Sequence, residues 1–280
     1  MDVSVIIVNY NTEELTLACV QSVIEHTTGV DYEILVVDNC SPNGPPTSVE
    51  QYDQVRLIRS NENGGFAKGN NLGVEQAKGD YILLLNSDTE LRNNALNISK
   101  SLMDENPTWG LLGGQLINPG DRIQKSTRRF RTITWELMEL FPIHLFLSKR
   151  KREEMMLHHY FDHKRFVEVD WLSGAYMFFR REVITAFPNH KLAEDYFMYC
   201  EDVLWCWQAK ELGWKVVFHP EPKIFHHHHG TVEREKSLKI RKAVMDNHLD
   251  FVRRYFYRDW KYFIFKPIFL IKQTVISWIE

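Results

Sequence analysis

Unbroken apolar runs, each closed by a polar cluster, set the frame of the N-terminal part of the chain. Val3-Ser-Val-Ile-Ile-Val8 is almost entirely β-branched and does not alternate, as expected of a strand buried on both faces of a parallel sheet. Asn9-Tyr-Asn-Thr12 ends it with cap-forming residues, and a helix is predicted from there to about His26. Glu33-Ile-Leu-Val-Val37, ending at Asp38-Asn-Cys-Ser-Pro42, and the shorter Val55-Arg-Leu-Ile58 predict two more strands. Tyr81-Ile-Leu-Leu-Leu85 is the clearest run and closes on Asn86-Ser-Asp-Thr89, with a helix expected from near Leu91. Strands alternating with helical stretches predict an α/β fold, a mostly parallel sheet with helices on both faces. Such sheets bind ligands at the carboxyl ends of their strands, where these polar clusters lie.

Further along, the pattern changes. Trp171-Leu-Ser-Gly-Ala-Tyr-Met-Phe-Phe179 is strand-like but broken at Ser173-Gly174-Ala175, and glycine there suggests close approach of a ligand or another backbone. Phe197 to Gly213 reads as a helix with Asp202 in its first turn and Gly213 at its end. From Arg234 to Glu280, 11 basic and 5 acidic residues interleave with 10 aromatics. That mixture fits an interfacial helix on anionic lipid, on the cytoplasmic face of an inner membrane; a helix pair packed on the catalytic domain or on a dimer mate fits it too. Ser148-Lys-Arg-Lys-Arg152 reads either as reinforcement of a membrane contact or as a solvated loop. Nucleic acid is not expected as a partner, because no recognised nucleic-acid module is present.

Charge sharpens this division. The 280 residues carry a net charge of −3, but residues 1–120 hold 6 basic and 16 acidic residues, against 28 and 21 in 121–280. Aromatic residues divide as 6 and 30, so the two parts are expected to do different work. Cys19, Cys40, Cys200 and Cys206 form no CxxC pair and are expected as reduced thiols in a cytosolic protein. Met1-Asp2 runs straight into the first strand without the basic segment of a secretory signal. Lys261, Lys266 and Lys272 interrupt the best candidate for the ~18 apolar residues of a spanning helix.

Two strand-end carboxylates are the first candidates for chemistry. Asp38 is positioned to accept hydrogen bonds from a nucleobase or ribose, or else is a helix cap or closes an Asx-turn. Asp88 suits a hard cation such as Mg²⁺ or Mn²⁺ bridging to phosphates, or else caps the helix expected near Leu91. Between them, Asn61-Glu-Asn-Gly-Gly-Phe-Ala-Lys-Gly-Asn-Asn-Leu-Gly73 is a glycine-rich loop entering a helix, and its glycines permit close approach to a ligand. It is neither a Walker loop nor GxGxxG. Glu201 and Asp202 suit either a helix N-terminus or the proton-accepting group of a sugar acceptor site. The run His226-His-His-His229 offers imidazoles for a divalent ion, or is a solvated loop.

VSVIIVNYN, VVDN, NENGGFAKGNNLG and LLLNSD, in this order and spacing, resemble the nucleotide-sugar half of glycosyltransferase family 2, above all its rhamnosyltransferase-like members. WLSGA followed by MYCEDVLWCWQAKELGWKV resembles that family's acceptor segment and ED motif. The resemblance covers about residues 3–232 and implies a GT-A fold with a C-terminal helical extension. It implies a nucleotide-sugar half at 1–120, an acceptor half at 121–232 and the extension at 233–280. It implies that Val8, Asn9, Tyr10, Asn11, Asp38, Gly65, Phe66, Lys68, Asn71, Asn86 and Ser87 bind the nucleotide sugar. Trp171, Ser173, Gly174, Ala175 and Glu201 would bind the acceptor, and Asp202 would be the catalytic base with Glu201 supporting it. Asn86 stands where the DxD motif has its first Asp, so Mg²⁺ or Mn²⁺ would rest mainly on Asp88, completed by His226 or, second, His228. The implied activity is inverting transfer from a nucleotide-diphosphate sugar, dTDP-rhamnose by resemblance, to a saccharide or lipid-linked acceptor of a bacterial surface polysaccharide.

Two rival classes share parts of this pattern. A nucleotidyltransferase would carry a basic glycine-rich loop after the first strand, where Asn9-Tyr-Asn-Thr12 stands. A non-catalytic, membrane-associated carbohydrate-binding protein would not require both Asp88 and Asp202.

Overall fold

A computed structural model describes residues 1–141, 143–227 and 234–279. The chain divides into two compact units, Met1–Ser126 with His163–Thr231, and Thr127–Asp162 with Val232–Glu280. No single cut of the sequence separates them.

The first unit is built on a sheet of 10 strands. β1 (Val3–Asn9), β2 (Tyr32–Asp38), β3 (Val55–Arg59) and β4 (Tyr81–Asn86) pair in parallel in the order β3-β2-β1-β4, with α1 (Glu13–His26) and α2 (Gly65–Gln76) as crossovers. β5 (Thr89–Leu91), α3 (Ala95–Glu105) and β6 (Trp109–Asn118) follow. β7 (Tyr176–Arg180) inserts antiparallel between β4 and β6. α4 (Glu201–Glu211) then leads into β8 (Lys215–His226), which runs parallel to β6 and takes β5 on its other edge. The sheet is therefore mixed and mostly parallel, flanked by helices, as the apolar runs predict.

Three local expectations change. The segment after Asp88 is a strand, not a helix: Thr89 and Leu91 are buried and pair with His226 and Ile224, and α3 starts only at Ala95. The capping alternative for Asp88 lapses with it. The run Trp171–Phe179 is two strands, Trp171–Leu172 and β7, with the small residues forming the turn. The helix expected from Phe197 begins at Glu201.

Val3, Val5, Ile6 and Ile7 of β1 are fully buried, so both faces of the central strand are covered. Each such side chain contributes about 1.5–3 kcal/mol by leaving water. Helix α2 lies close on this strand because it presents glycine to it: a Cβ on Gly73 would meet Ile6 Cγ2 at 2.5 Å, and one on Gly69 would meet Val8 Cγ1 at 2.9 Å. These two glycines serve helix–sheet packing.

In the second unit, helix Ile133–Leu140 packs on helix Lys261–Ile279. Phe130, Phe251, Phe256, Phe265 and Phe269 form its ring-rich core. Lys272 is buried with its Nζ 2.7 Å from both Glu136 and Glu139, and Arg131 holds the same two carboxylates. The inward face of the basic, aromatic tail is thus covered within this unit. Among the described residues no helix is long and apolar enough to cross a membrane.

Candidate active site

The carboxyl ends of β1 and β2 are joined by a small polar network. Asn9 is buried, and its Nδ2 donates to Asp38 Oδ1 at 2.7 Å and to Ser41 Oγ at 3.0 Å. Its Oδ1 accepts from the Thr16 hydroxyl at 2.8 Å and the Thr12 hydroxyl at 3.0 Å, which fixes the start of α1. Asp38, also buried, accepts from the Ser41 hydroxyl and from Ser41 N at 3.1 Å. Within the chain Asp38 therefore closes the turn after β2. Tyr10 and Asn11 are exposed beside it, and Asn11 N donates to Ser41 Oγ at 2.8 Å.

The glycine-rich loop is braced by Asn39, which ends the VVDN stretch but has no role assigned from the sequence. Asn39 Nδ2 donates to Asn63 Oδ1 at 2.9 Å and to Gly65 O at 3.1 Å, while its Oδ1 accepts from Gly64 N at 3.3 Å. Gly65 has a φ of +84°, and a Cβ there would lie 2.2 Å from Phe197 O, so a side chain is excluded by both conformation and space. Phe66 N donates to that same carbonyl at 3.0 Å, and the Phe66 ring stacks on Trp205 of α4. The amide of Asn71 is engaged by Leu192 N, Leu192 O and Glu194 Oε1 at 2.8–3.0 Å, which makes it a brace between α2 and the segment ahead of α4. Lys68 is exposed and 3.4 Å from Glu62.

At the end of β4, Asn86 N donates to Ala175 O at 3.1 Å, and the hydroxyls of Ser87 and Thr12 are 3.1 Å apart. Asp88 Oδ1 lies 3.3 Å from Nε2 of the buried His226. His226 Nδ1 lies 2.8 Å from Gln124 Oε1; with Nδ1–H donated to that amide, the Nε2 lone pair would face Asp88 and suit a cation between them.

These residues fit a divalent cation. Cis ligands of an octahedral ion with bonds of about 2.1 Å are about 3.0 Å apart, close to the observed separation. Among the described residues no group of three or more His, Cys, Asp or Glu is arranged to hold a metal. A site of one carboxylate and one imidazole leaves positions for phosphate and water, the habit of Mg²⁺ and Mn²⁺. His228 lies outside the described residues. His227 turns instead to Glu90, 2.6 Å away.

Glu201 and Asp202 are the first residues of α4. The chain reaches them through Tyr199 and Cys200, both with left-handed φ, at 69° and 83°. Asp202 Oδ2 accepts from Gly174 N at 3.1 Å and its Oδ1 from Val203 N at 2.8 Å, so the carboxylate is anchored at both oxygens. Gly174 is the meeting point: a Cβ placed there would be 3.4 Å from the Phe66 ring and 3.6 Å from Asp202 Cβ. Its neighbour Ala175 carries the carbonyl that holds Asn86. Ser173 N donates to Ser126 O at 3.3 Å, and Trp171, half-buried, begins the same turn. The fold thus gathers Phe66, Asn86, Gly174, Ala175 and Asp202, and separately joins Asp88 to His226. Lys68 and Asn71 are engaged elsewhere.

Burial pushes the Glu201 carboxyl up to about 8, and the charge of Asp202 adds to the rise. Among the described residues its Oε2 is buried without a hydrogen bond. At neutral pH Glu201 keeps its proton and the negative charge of the pair sits on Asp202. Because the folded value lies above the ordinary 4.5, the stability this group confers is complete below that value and is lost as pH rises toward about 8. Glu201→Gln should flatten this slope. Wild-type melting temperature should fall by several degrees more than that of the variant between about pH 5 and about pH 9. Parallel melting curves for the two proteins would refute the assignment.

The family described as glycosyl transferase family 2 matches residues 4–187. N-acetylglucosaminyl-diphospho-decaprenol L-rhamnosyltransferase of Mycobacterium tuberculosis is 23% identical over 224 residues, 74% of this chain and 70% of that protein. Glycosyltransferase GlyG of Streptococcus pneumoniae is 29% identical over 98 residues, 34% of this chain and only 32% of the relative's length. Among solved structures, the mannosyltransferase PcManGT of Pyrobaculum calidifontis, in complex with GDP-Man and Mn²⁺, has a TM-score of 0.61 at 20% identity, over 95% of this chain and 67% of that one. Residues 1–349 of TarS from Staphylococcus aureus have a TM-score of 0.57 at 18% identity, over 91% of this chain and 74% of that one. At these identities the structures speak for the fold, which is of the GT-A type. Since the family match spans well over half of the sequence and takes in Asp38 and Asp88, the chain belongs to glycosyl transferase family 2.

Proposed function

We propose that this chain is an inverting glycosyltransferase that moves a sugar from a nucleoside-diphosphate donor to a saccharide or lipid-linked acceptor in bacterial surface polysaccharide synthesis. The observation that carries the reading is the hydrogen-bonded path from Asp202 through Gly174 and Ala175 to Asn86, two residues before Asp88. It links the Asp202 carboxylate to the end of β4, which supports reading Asp202 as the proton acceptor beside a diphosphate.

In this reading the nucleoside lies over the ends of β1 and β2, against Val8, Asn9, Tyr10, Asn11 and Asp38. Gly65, Phe66, Asn86 and Ser87 border the sugar, and Trp171, Ser173 and Gly174 border the acceptor. Asp202 takes the proton from the attacking hydroxyl as that oxygen bonds to the anomeric carbon and the nucleoside diphosphate leaves from the opposite face. Glu201, protonated, keeps a second negative charge away from the reacting centre. Asp88 and His226 would hold Mg²⁺ or Mn²⁺, which when bound would neutralise diphosphate charge. A dTDP-rhamnose donor draws support from the sequence resemblance and from the rhamnosyltransferase named above.

The test is a screen of nucleotide sugars for diphosphate release, with and without Mn²⁺ and with saccharide acceptors. Release that needs an acceptor, one donor and a divalent cation is the expected result. Nucleotide-sugar formation from a nucleoside triphosphate and a sugar phosphate, or glycan binding without release from any donor, would overturn the proposal.

A further inference from the structure

The second unit leaves apolar surface uncovered in two places. Phe141, Ile143, Leu145 and Phe146 follow helix Ile133–Leu140 and are all exposed, Phe146 to 90%. The basic helix Lys149–Met156 comes next, with Lys149, Arg150 and Lys151 at its start. The second place is the outer side of helix Lys261–Ile279. Phe265, Phe269 and Lys272 are buried on its inner side, whereas Phe263, at 77% exposure, lies on the other side with Leu270 and Ile271. That is helical spacing for a second apolar stripe, one that no described residue covers. Lys261 and Lys266 are exposed on this helix, and Trp260 precedes it at 64% exposure.

Charge tells what such a surface fits. The second unit holds 18 basic and 11 acidic residues, whereas the rest of the chain holds 16 and 26. Two copies meeting through the 141–151 segment would bring like charges together. A bilayer with anionic headgroups would neutralise them while accepting the apolar side chains at its acyl boundary.

We infer that the second unit docks on an anionic lipid surface, with Phe141, Ile143, Leu145 and Phe146 inserted, Lys149, Arg150 and Lys151 on the headgroups, and the outer face of helix Lys261–Ile279 as a second contact. The anchor thereby includes a mid-chain segment as well as the C-terminal tail. The inference does not depend on the transfer reaction, since binding is measured without turnover.

Co-sedimentation of the full chain with vesicles of phosphatidylglycerol and phosphatidylcholine, and with phosphatidylcholine alone, tests it. Binding is expected only to the anionic vesicles and should weaken as salt rises. Lys149→Ala and Lys151→Ala should each lower affinity about fivefold. Leu145→Ser with Phe146→Ser should lower it roughly tenfold or more. Both apolar positions are exposed, so circular dichroism and melting temperature should stay at wild-type values. A chain that remains in the supernatant with anionic vesicles, or one whose binding ignores the Leu145 and Phe146 changes, would overturn the inference. So would a dimer in solution that the same double variant splits, because the surface would then belong to a second copy.

Discussion

Asp202→Asn is expected to lower kcat by about 10²–10⁴-fold and leave KM for the donor close to wild type, because only proton removal from the acceptor is lost. Burial and the charge of Asp202 hold the Glu201 carboxyl well above the usual carboxylate range, so Glu201 is the poorer base at working pH. Geometry points the same way: Asp202 is tied to Gly174 N, beside the Phe66 ring, while Glu201 is buried. Glu201→Gln should therefore retain much more activity than Asp202→Asn. Steady-state kinetics on both variants decide between them. Turnover near wild type in Asp202→Asn would remove the base from the proposed reaction.

Asp88→Asn is expected to lower kcat/KM by about 10²–10³-fold, corresponding to the several kcal/mol that a bound cation contributes to stabilising departing charge. Excess Mn²⁺ should restore part of the loss, because His226 and its Gln124 partner remain in place. In the wild type a chelator should abolish transfer and Mn²⁺ should restore it. Full activity of the wild type in the chelator would exclude a cation role for the Asp88–His226 pair.

The sequence makes the donor side of the fold legible because its strands are continuous β-branched runs, which nothing but a doubly covered sheet explains well. Asp38, Asp88 and Asp202 stand out for a related reason: each is a polar residue at the edge of a clear element. The rest depends on partners far along the chain. Thr89–Leu91 becomes a strand only because β8 arrives beside it more than a hundred residues later. The insertion of β7 between β4 and β6 has no local signature either. Asn39 and Gln124 lie in loops, and their partners are 24 and 102 positions away. The glycines of the Asn61–Gly73 stretch suggest space for a ligand, but at Gly65, Gly69 and Gly73 other parts of the protein fill that space. A glycine reports close approach without saying of what.

The contacts of Phe66 with Phe197 and of Asn71 with Leu192 and Glu194 bear on how acceptor choice can be engineered. Exchanging everything beyond residue 120 for the matching stretch of a relative would divide two interlocking sets of atoms. The donor loop would keep a glycine shaped to a carbonyl that had gone, and Asn71 would lose both partners of its amide. A workable graft moves Gly65, Phe66, Asn71, Leu192, Glu194 and Phe197 together. Recombination breakpoints that respect this clasp should yield folded hybrids, and those that cut it should yield insoluble chains.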